Sequence, residues 1–253
     1  MKFQVLDQKH AFCLVSVSPL RKEPKDSAEM TSQLLFGEIV KIHSILGPWV
    51  EVTTLLDDYK GFVDSKHLLP LSDQDTLNWQ KTYISQNTIN KEIATPWGKQ
   101  IISCGSFIGP SPSFKIGDYS FDCVAEAQEL NRDIVLANLI NTPYLWGGKS
   151  SFGIDCSGLS QLFFRLSGIN LPRDAYQQAE IGKAIAFGNH EKNDLAFFKN
   201  KDGKIIHVGI VQENNKIIHA SGRVRIDGMD ETGIFNNEMN QYTHFLFSMN
   251  KIL

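Results

Sequence analysis

From Ala11 to Leu69 the chain has no stretch with a helical repeat. It offers short β-rich runs instead, AFCLVSV, EIVKIHSI, WVEVTTL and GFVDS, each cut off by Pro, Gly or Asp punctuation. This segment reads as a small β-barrel. With 253 residues, the chain exceeds the usual size of one domain and has room for a larger core plus one or two small modules. Residues from about Asp73 to Phe121 repeat the β pattern less clearly. TYISQ, KQIISCGSFIG and SFKIGDYSF are strand candidates around loops that hold Pro96, Pro110 and Pro112, which predicts a second, degenerate barrel.

The texture changes after Asp122. VAEAQELNRDIVLANLI puts Val124, Ala127, Leu130, Ile134, Leu136 and Ile140 at roughly helical spacing. A glycine-rich loop, WGGKSSFGID, then leads into CSGLSQLFFRLSGI. There Leu159, Leu162, Phe163 and Leu166 recur at i, i+3, i+4 and i+7, and Gly168 is the natural stop. Three strand candidates follow, DLAFFK, KIIHVGIVQ and KIIHASG. The expected class is α+β, with a helix-then-sheet domain over 123–253 preceded by modules over 1–72 and 73–122.

Charge and cysteine usage narrow the setting. The balance of 25 basic against 28 acidic residues is −3, so no cationic excess is available for phosphates, and nucleic acid is not an expected partner. Asp7, Lys9 and His10 fall where a signal peptide needs an unbroken apolar stretch, and no later run approaches membrane-spanning length. Cys13, Cys104, Cys123 and Cys156 are scattered, without the close pairs of a zinc site or a disulfide framework. Reduced thiols in a cytoplasmic protein, with no membrane partner, are the expectation.

Cys156 stands at the first turn of the amphipathic helix, where the dipole and unpaired N–H groups favour thiolate over thiol. The same N–H groups suit an oxyanion, and Gly147, Gly148 and Gly153 would let the preceding loop approach a substrate. Such a nucleophile needs a base, and His207 lies within IIHVGIV, where apolar neighbours would fix its ring. His219, on the next strand candidate, is the expected orienting group. Parity decides whether the two meet. An odd-numbered loop, for example Glu213, Asn214 and Asn215, pairs His207 with Ser221 and puts both imidazoles on one face, whereas a two-residue turn separates them. Cys13, Cys104 and Cys123 lack this context and read as structural. His10, His43, His67, His190 and His244 read as surface residues.

The combination Y-x-W-G-G, D-C-S-G-L, L-P-R-D-A and H-V-G-I, within residues 125–253, resembles the catalytic domain of the NlpC-type cysteine peptidase family. The resemblance implies a papain-like fold with Cys156, His207 and His219 as the triad. The N-terminal stretch SAEMTSQLLFGEIV, PWVEV and DDYKGFV resembles the bacterial Src-homology-3-like barrels of murein-peptide recycling enzymes, with G-F-V where relatives commonly show G-W-V. Relatives of that layout are γ-D-glutamyl-L-diamino-acid endopeptidases acting on stem peptides with a free N-terminal L-Ala.

By this resemblance Glu29 and Tyr59 would face the substrate amine, and Tyr144, Trp146, Asp155, Ser157 and Asp174 would line the cleft. Glu29 could instead be a solvated loop charge, Tyr59 a core aromatic, and Asp174 the cap of a helix starting near Ala175. The implied chemistry is acyl transfer through a thioester, with murein-derived peptides as partners and no metal or cofactor. A related Cys/His amidase or acyltransferase would share the triad but not the amine site. A non-catalytic module that binds wall fragments would have no need to keep all three triad residues.

Overall fold

A computed structural model describes residues 9–123 and 130–252. The first β-rich stretch forms strands β1 (His10–Cys13), β2 (Val17–Arg21), β3 (Met30–Leu35), β4 (Ile39–Leu46), β5 (Trp49–Thr54), β6 (Lys60–Asp64) and β7 (Leu68–Leu71). They join one antiparallel sheet in the order β3-β2-β6-β5-β4-β1-β7. Alternate residues fill its core, among them Ala11, Leu20, Leu34, Val40, Val50, Val52 and Val63. Strand β3 was not among the expected runs because Thr31, Ser32 and Gln33 interrupt its apolar pattern. Ser32 and Gln33 are nevertheless buried, since they meet the C-terminal half of the chain rather than water. Gln33 Oε1 accepts the Lys149 N–H at 2.8 Å and Ser32 Oγ accepts Arg173 Nε at 3.0 Å.

The next stretch contains α1 (Asp73–Thr82), β8 (Ile84–Ser85), β9 (Asn90–Thr95), β10 (Gly98–Ser103), β11 (Phe107–Ile108), β12 (Ser113–Ile116) and β13 (Tyr119–Cys123). Its main sheet has four strands in the order β10-β9-β13-β12. The helix was not expected, because DQDTLNWQKT is largely polar and presents only Thr76 and Trp79 to the interior. Its start is set by Ser72, whose Oγ accepts the Asp75 N–H at 3.0 Å. Trp79 fixes it to the first sheet by donating Nε1 to the Gly37 carbonyl at 2.8 Å. The apolar residues of this stretch pack with those of the first sheet. Phe12 and Phe36 join Trp79, Ile93, Ile102, Phe107 and Phe121 in one cluster, with edge-on aromatic contacts such as Phe12–Phe36 at 5.2 Å and Phe36–Phe121 at 5.5 Å.

The C-terminal part contains α2 (Arg132–Asn138), β14 (Lys149–Ser150), β15 (Gly153–Ile154), α3 (Cys156–Arg165), α4 (Ala175–Gln178), β16 (Lys183–Ile185), β17 (Leu195–Lys199), β18 (Ile205–Gln212), β19 (Lys216–Ser221), β20 (Arg223–Met229), β21 (Gly233–Asn236) and β22 (Gln241–Lys251). Val124 and Ala127 of the expected first helix lie outside the described residues. Strands β16-β22-β17-β18-β19-β20-β21 form one sheet, and β21 also pairs with β22, which closes β17 to β22 into a six-stranded barrel. Leu159, Leu162 and Phe163 of α3 pack on its Phe197, Val208, Ile210 and Ile218. Among the described residues no helix is long and apolar enough to cross a membrane.

The N-terminal barrel and α3 meet through buried charge. Glu38, 1% exposed, lies 3.3 Å from Lys149 Nζ and 2.7 Å from Arg165 Nη1, both also buried. Gln161 adds a bond from Nε2 to Asp57 Oδ2 at 2.8 Å. Desolvation makes such a cluster costly to break, because removing the carboxylate strands two cations away from water. Glu38→Gln is expected to lower the unfolding free energy by about 3–5 kcal/mol in chemical denaturation. A loss below about 1 kcal/mol would show that the cluster does not hold the halves together.

Candidate active site

The start of α3 is built by one side chain. Asp155 is its N-cap, with Oδ1 accepting the Gly158 N–H at 2.7 Å and Oδ2 accepting the Gly147 N–H at 2.9 Å. It therefore ends the glycine loop and begins the helix, presenting Cys156 on the first turn. The Gly in D-C-S-G is a packing requirement, since a Cβ at Gly158 would fall 2.2 Å from the Gly148 carbonyl oxygen. The loop glycines were expected to approach substrate. They approach the protein instead: a Cβ at Gly147 would meet Met30 O of the N-terminal barrel at 2.6 Å, and one at Gly148 would meet Gly153 O at 2.5 Å.

Asp155 is itself held by Arg173, which donates Nη1 to Oδ1 at 3.1 Å and Nη2 to Oδ2 at 2.5 Å. Arg173 Nη1 also reaches Ser157 Oγ at 2.7 Å, and Ser157 in turn donates to Asp155 Oδ1 at 3.3 Å. Asp155 and Ser157 thus line the cleft with their polar atoms engaged in positioning. Arg173 was not singled out from the sequence, although L-P-R-D-A carries it. A fully buried guanidinium bonded to a helix cap is invisible without the fold.

Cys156 is 8% exposed, and its thiol receives the backbone N–H groups of Val208 and Ser157. Burial, and then the neighbouring Asp155 carboxylate, push its pKa up to about 12, while Arg173 and those N–H groups pull the other way. The helix start alone was expected to favour thiolate. Burial and an adjacent anion outweigh it, so the resting group is a thiol. Among the described residues it has no hydrogen bond to an imidazole.

The connection between β18 and β19 has the odd length. Gln212 pairs with Lys216 and Ile210 with Ile218, leaving Glu213, Asn214 and Asn215 in the turn, the two asparagines at φ of 59° and 51°. His207 and His219 consequently share a face, with His207 Nε2 2.8 Å from His219 Nδ1. Behind them Asp227 Oδ2 lies 3.0 Å from His219 Nε2, and Arg225 donates Nε and Nη2 to Asp227 at 2.6 and 2.9 Å.

The surface reading of His244 was wrong. Its ring stacks on His207 at 4.1 Å with 26° between planes, because β22 folds back to close the barrel. His43 is exposed, and His10, His67 and His190 are half-buried. Burial, then the like charges of His244 and His219, hold the His207 imidazole well below its ordinary value, and burial with His219 lowers His244 to about 4. Both rings are neutral at pH 7. The ring nitrogens of His207, His219 and His244 lie within 4.8 Å of one another. Within this group His207 Nε2 and His219 Nδ1 already face each other at hydrogen-bond distance, an arrangement suited to proton transfer. None of the four cysteines is disulfide-bonded, and burial pushes the Cys104 thiol up to about 11.

Cys156 opens on a cleft of about 610 Å³ between the N-terminal barrel and the C-terminal part, lined also by Glu29, Tyr59, Tyr144, Trp146, Asp174 and Tyr176. His207 and His219 are buried and do not line it. Glu29 Oε1 accepts Trp146 Nε1 at 2.9 Å, and its other oxygen is 3.7 Å from Lys22. Asp174 serves two purposes. It is the N-cap residue of α4, its backbone N–H bonded to Gln177 Oε1 at 3.1 Å, and its carboxylate faces the cleft 3.5 Å from the Tyr59 hydroxyl. Burial, with Asp155 nearby, raises the Asp174 carboxyl above its usual value, and burial with Asp174 raises Tyr59 to about 12. Burial, then Cys156 and Asp155, raises Tyr144 as well.

Residues 141–243 match the NlpC/P60 family, and residues 20–68 match a bacterial dipeptidyl-peptidase Sh3 domain. The γ-D-glutamyl-L-lysine dipeptidyl-peptidase of Bacillus subtilis (strain 168) is 42% identical over 227 residues, covering 75% of this chain and 71% of that protein. The chain belongs to the NlpC/P60 family. Dipeptidyl-peptidase 6 of Lysinibacillus sphaericus is 27% identical over 265 residues, 88% of this chain and 92% of that one. The crystal structure of an NlpC/P60 family protein from Bacillus cereus ATCC 10987 superposes with a TM-score of 0.78 at 19% identity, covering 96% of this chain and 99% of that chain. The papain-like α+β fold with an N-terminal Src-homology-3-like barrel is thereby established, and the chain is a cysteine peptidase.

The depressed basicity of His207 can be measured directly. In the wild type the His207 ring, followed by NMR titration, is expected to protonate well below pH 6.5. His244→Ala removes both a burying ring and a like charge, so its titration should move up towards 6.5. A wild-type value at or above 6.5 would contradict the account.

Proposed function

We propose that this NlpC/P60 peptidase hydrolyses the γ-D-glutamyl-L-diamino-acid bond of murein stem peptides whose N-terminal L-Ala amine is free. One observation carries the reading. The cleft that holds Cys156 is also lined by Glu29 and Tyr59 of the N-terminal barrel and by Asp174, so carboxylates and a hydroxyl share the thiol's cleft and can receive an ammonium. The named activity of the Bacillus subtilis relative supports the same bond.

The chemistry starts from neutral partners. As the thiol attacks the γ-carbonyl, its proton passes to His207 Nδ1, the ring nitrogen not engaged with His219. The backbone N–H of Cys156, at the start of α3 where intrahelical acceptors are lacking, is aimed at the developing oxyanion. His207 then gives the proton to the departing amine of the diamino acid, leaving a thioester of Cys156 with L-Ala-γ-D-Glu. Water, deprotonated by His207, cleaves the thioester and restores the thiol. Recycling of released peptides in the cytoplasm is the proposed setting, since an acylated L-Ala, as in an intact wall strand, presents no ammonium.

Mass spectrometry of L-Ala-γ-D-Glu-L-Lys and its N-acetylated twin tests this reading. Wild type should cleave only the free-amine peptide, and Cys156→Ala neither. Asp174→Asn should raise KM for the free-amine peptide by roughly two orders of magnitude, with a smaller change in kcat. Equal cleavage of both peptides would remove the amine site from the account. Cleavage of neither, with the diaminopimelate peptide also inert, would favour a binding module.

A further inference from the structure

We propose that Asp227 is a positioning residue that fixes the tautomers of His219 and His207, making the proton chain one member longer than the expected triad. This rests on the reading of His207 as the base. Asp227 is buried on β20 and receives two N–H donors from Arg225, at 2.6 and 2.9 Å. Burial raises its pKa, but the hydrogen bonds from His219 and Arg225 outweigh this and hold it below the ordinary carboxylate value. An ionised carboxylate can only accept. His219 Nε2, 3.0 Å away, must therefore carry a hydrogen, and in the neutral ring this leaves Nδ1 with a lone pair.

That lone pair lies 2.8 Å from His207 Nε2 and demands a hydrogen there in turn. A neutral His207 protonated on Nε2 has its remaining lone pair on Nδ1, the atom that must take the thiol proton. Without Asp227, His219 is free to adopt the opposite tautomer and donate from Nδ1. The His207 hydrogen would then shift to Nδ1, and the base would present an N–H to the thiol.

The fold is arranged around this chain. The β19–β20 register sets His219 opposite Arg225 and Ile217 opposite Asp227, so the carboxylate reaches diagonally to the imidazole on the same face. Gly209 leaves the space: a Cβ there would meet His219 Cβ at 3.1 Å and Ile217 Cδ1 at 2.6 Å. Among the described residues, the charged or titratable groups along this chain include Arg225 and Asp227 from β20, His207 from β18, His219 from β19 and His244 from β22, with the Cys156 thiol of α3 on the substrate side. Glu238 lies beyond and accepts Arg225 Nη1 at 3.0 Å.

The experiment pairs ring tautomers with kinetics. In wild type at pH 7, nitrogen-15 NMR of histidine-labelled protein should show both His207 and His219 hydrogenated on Nε2. A wild-type His219 hydrogenated on Nδ1 overturns the proposal without any variant. Asp227→Asn and Asp227→Ala should lower kcat by roughly 10²–10⁴-fold, the range seen when an orienting carboxylate is lost elsewhere, with KM for the free-amine peptide within about 3-fold. The Asn variant should also show a changed His219 tautomer while keeping the wild-type thermal midpoint. Folded variants with kcat within about 3-fold of wild type overturn it. If wild type cleaves the peptide and His207→Ala does as well, the base assignment has failed instead, and the two failures are distinguishable.

Discussion

The buried pair of Arg173 and Asp155 is the contact on which the site depends. Asp155 caps α3, ends the glycine loop through Gly147 and thereby fixes where Cys156 sits. Arg173 neutralises it, bonds Ser157, and extends Nε to Ser32 of the N-terminal barrel. The next residue in the chain is Asp174, whose carboxylate faces the cleft. Nucleophile, barrel wall and proposed amine site are therefore referenced to a single guanidinium. A buried ion pair of this kind contributes little net stability over an apolar replacement. Its value lies in geometry, because five donors in a rigid plane can hold three elements in register.

The same burial that orders the site sets its protonation. Thiol and imidazole are both neutral at rest, since the interior penalises the charged form of each and Asp155 adds to the penalty on the thiolate. Nucleophile activation then coincides with attack, when the proton moves to His207. A barrel closed by β21 and β22 makes this possible by placing His244 over the ring and burying it. His207 must then present the right nitrogen to the thiol, with its other nitrogen held by His219.

Much of this was legible in the chain itself, and the limits have physical reasons. The D-C-S-G helix start could be read because capping and an i, i+3, i+4, i+7 stripe are local signals. The meeting of His207 and His219 could be posed as a parity question because strand faces alternate, and the three-residue turn answered it. Helix α1 escaped notice because it is polar and depends on Trp79 reaching Gly37. Asp227 and His244 escaped because β20 to β22 mix polar and apolar residues and acquire their meaning only on closing the barrel. The loss of thiolate character at Cys156 could not be anticipated from the helix start alone, since it comes from tertiary burial.

The central claim is that one cleft, closed by the N-terminal barrel, places the substrate's amine and its scissile carbonyl at fixed separation. The most direct measurement is a crystal structure of Cys156→Ala with L-Ala-γ-D-Glu-L-Lys bound. The account predicts the L-Ala ammonium within about 3 Å of a carboxylate oxygen of Glu29 or Asp174, with the γ-carbonyl over the start of α3. A peptide bound with its amine directed away from the N-terminal barrel would contradict it.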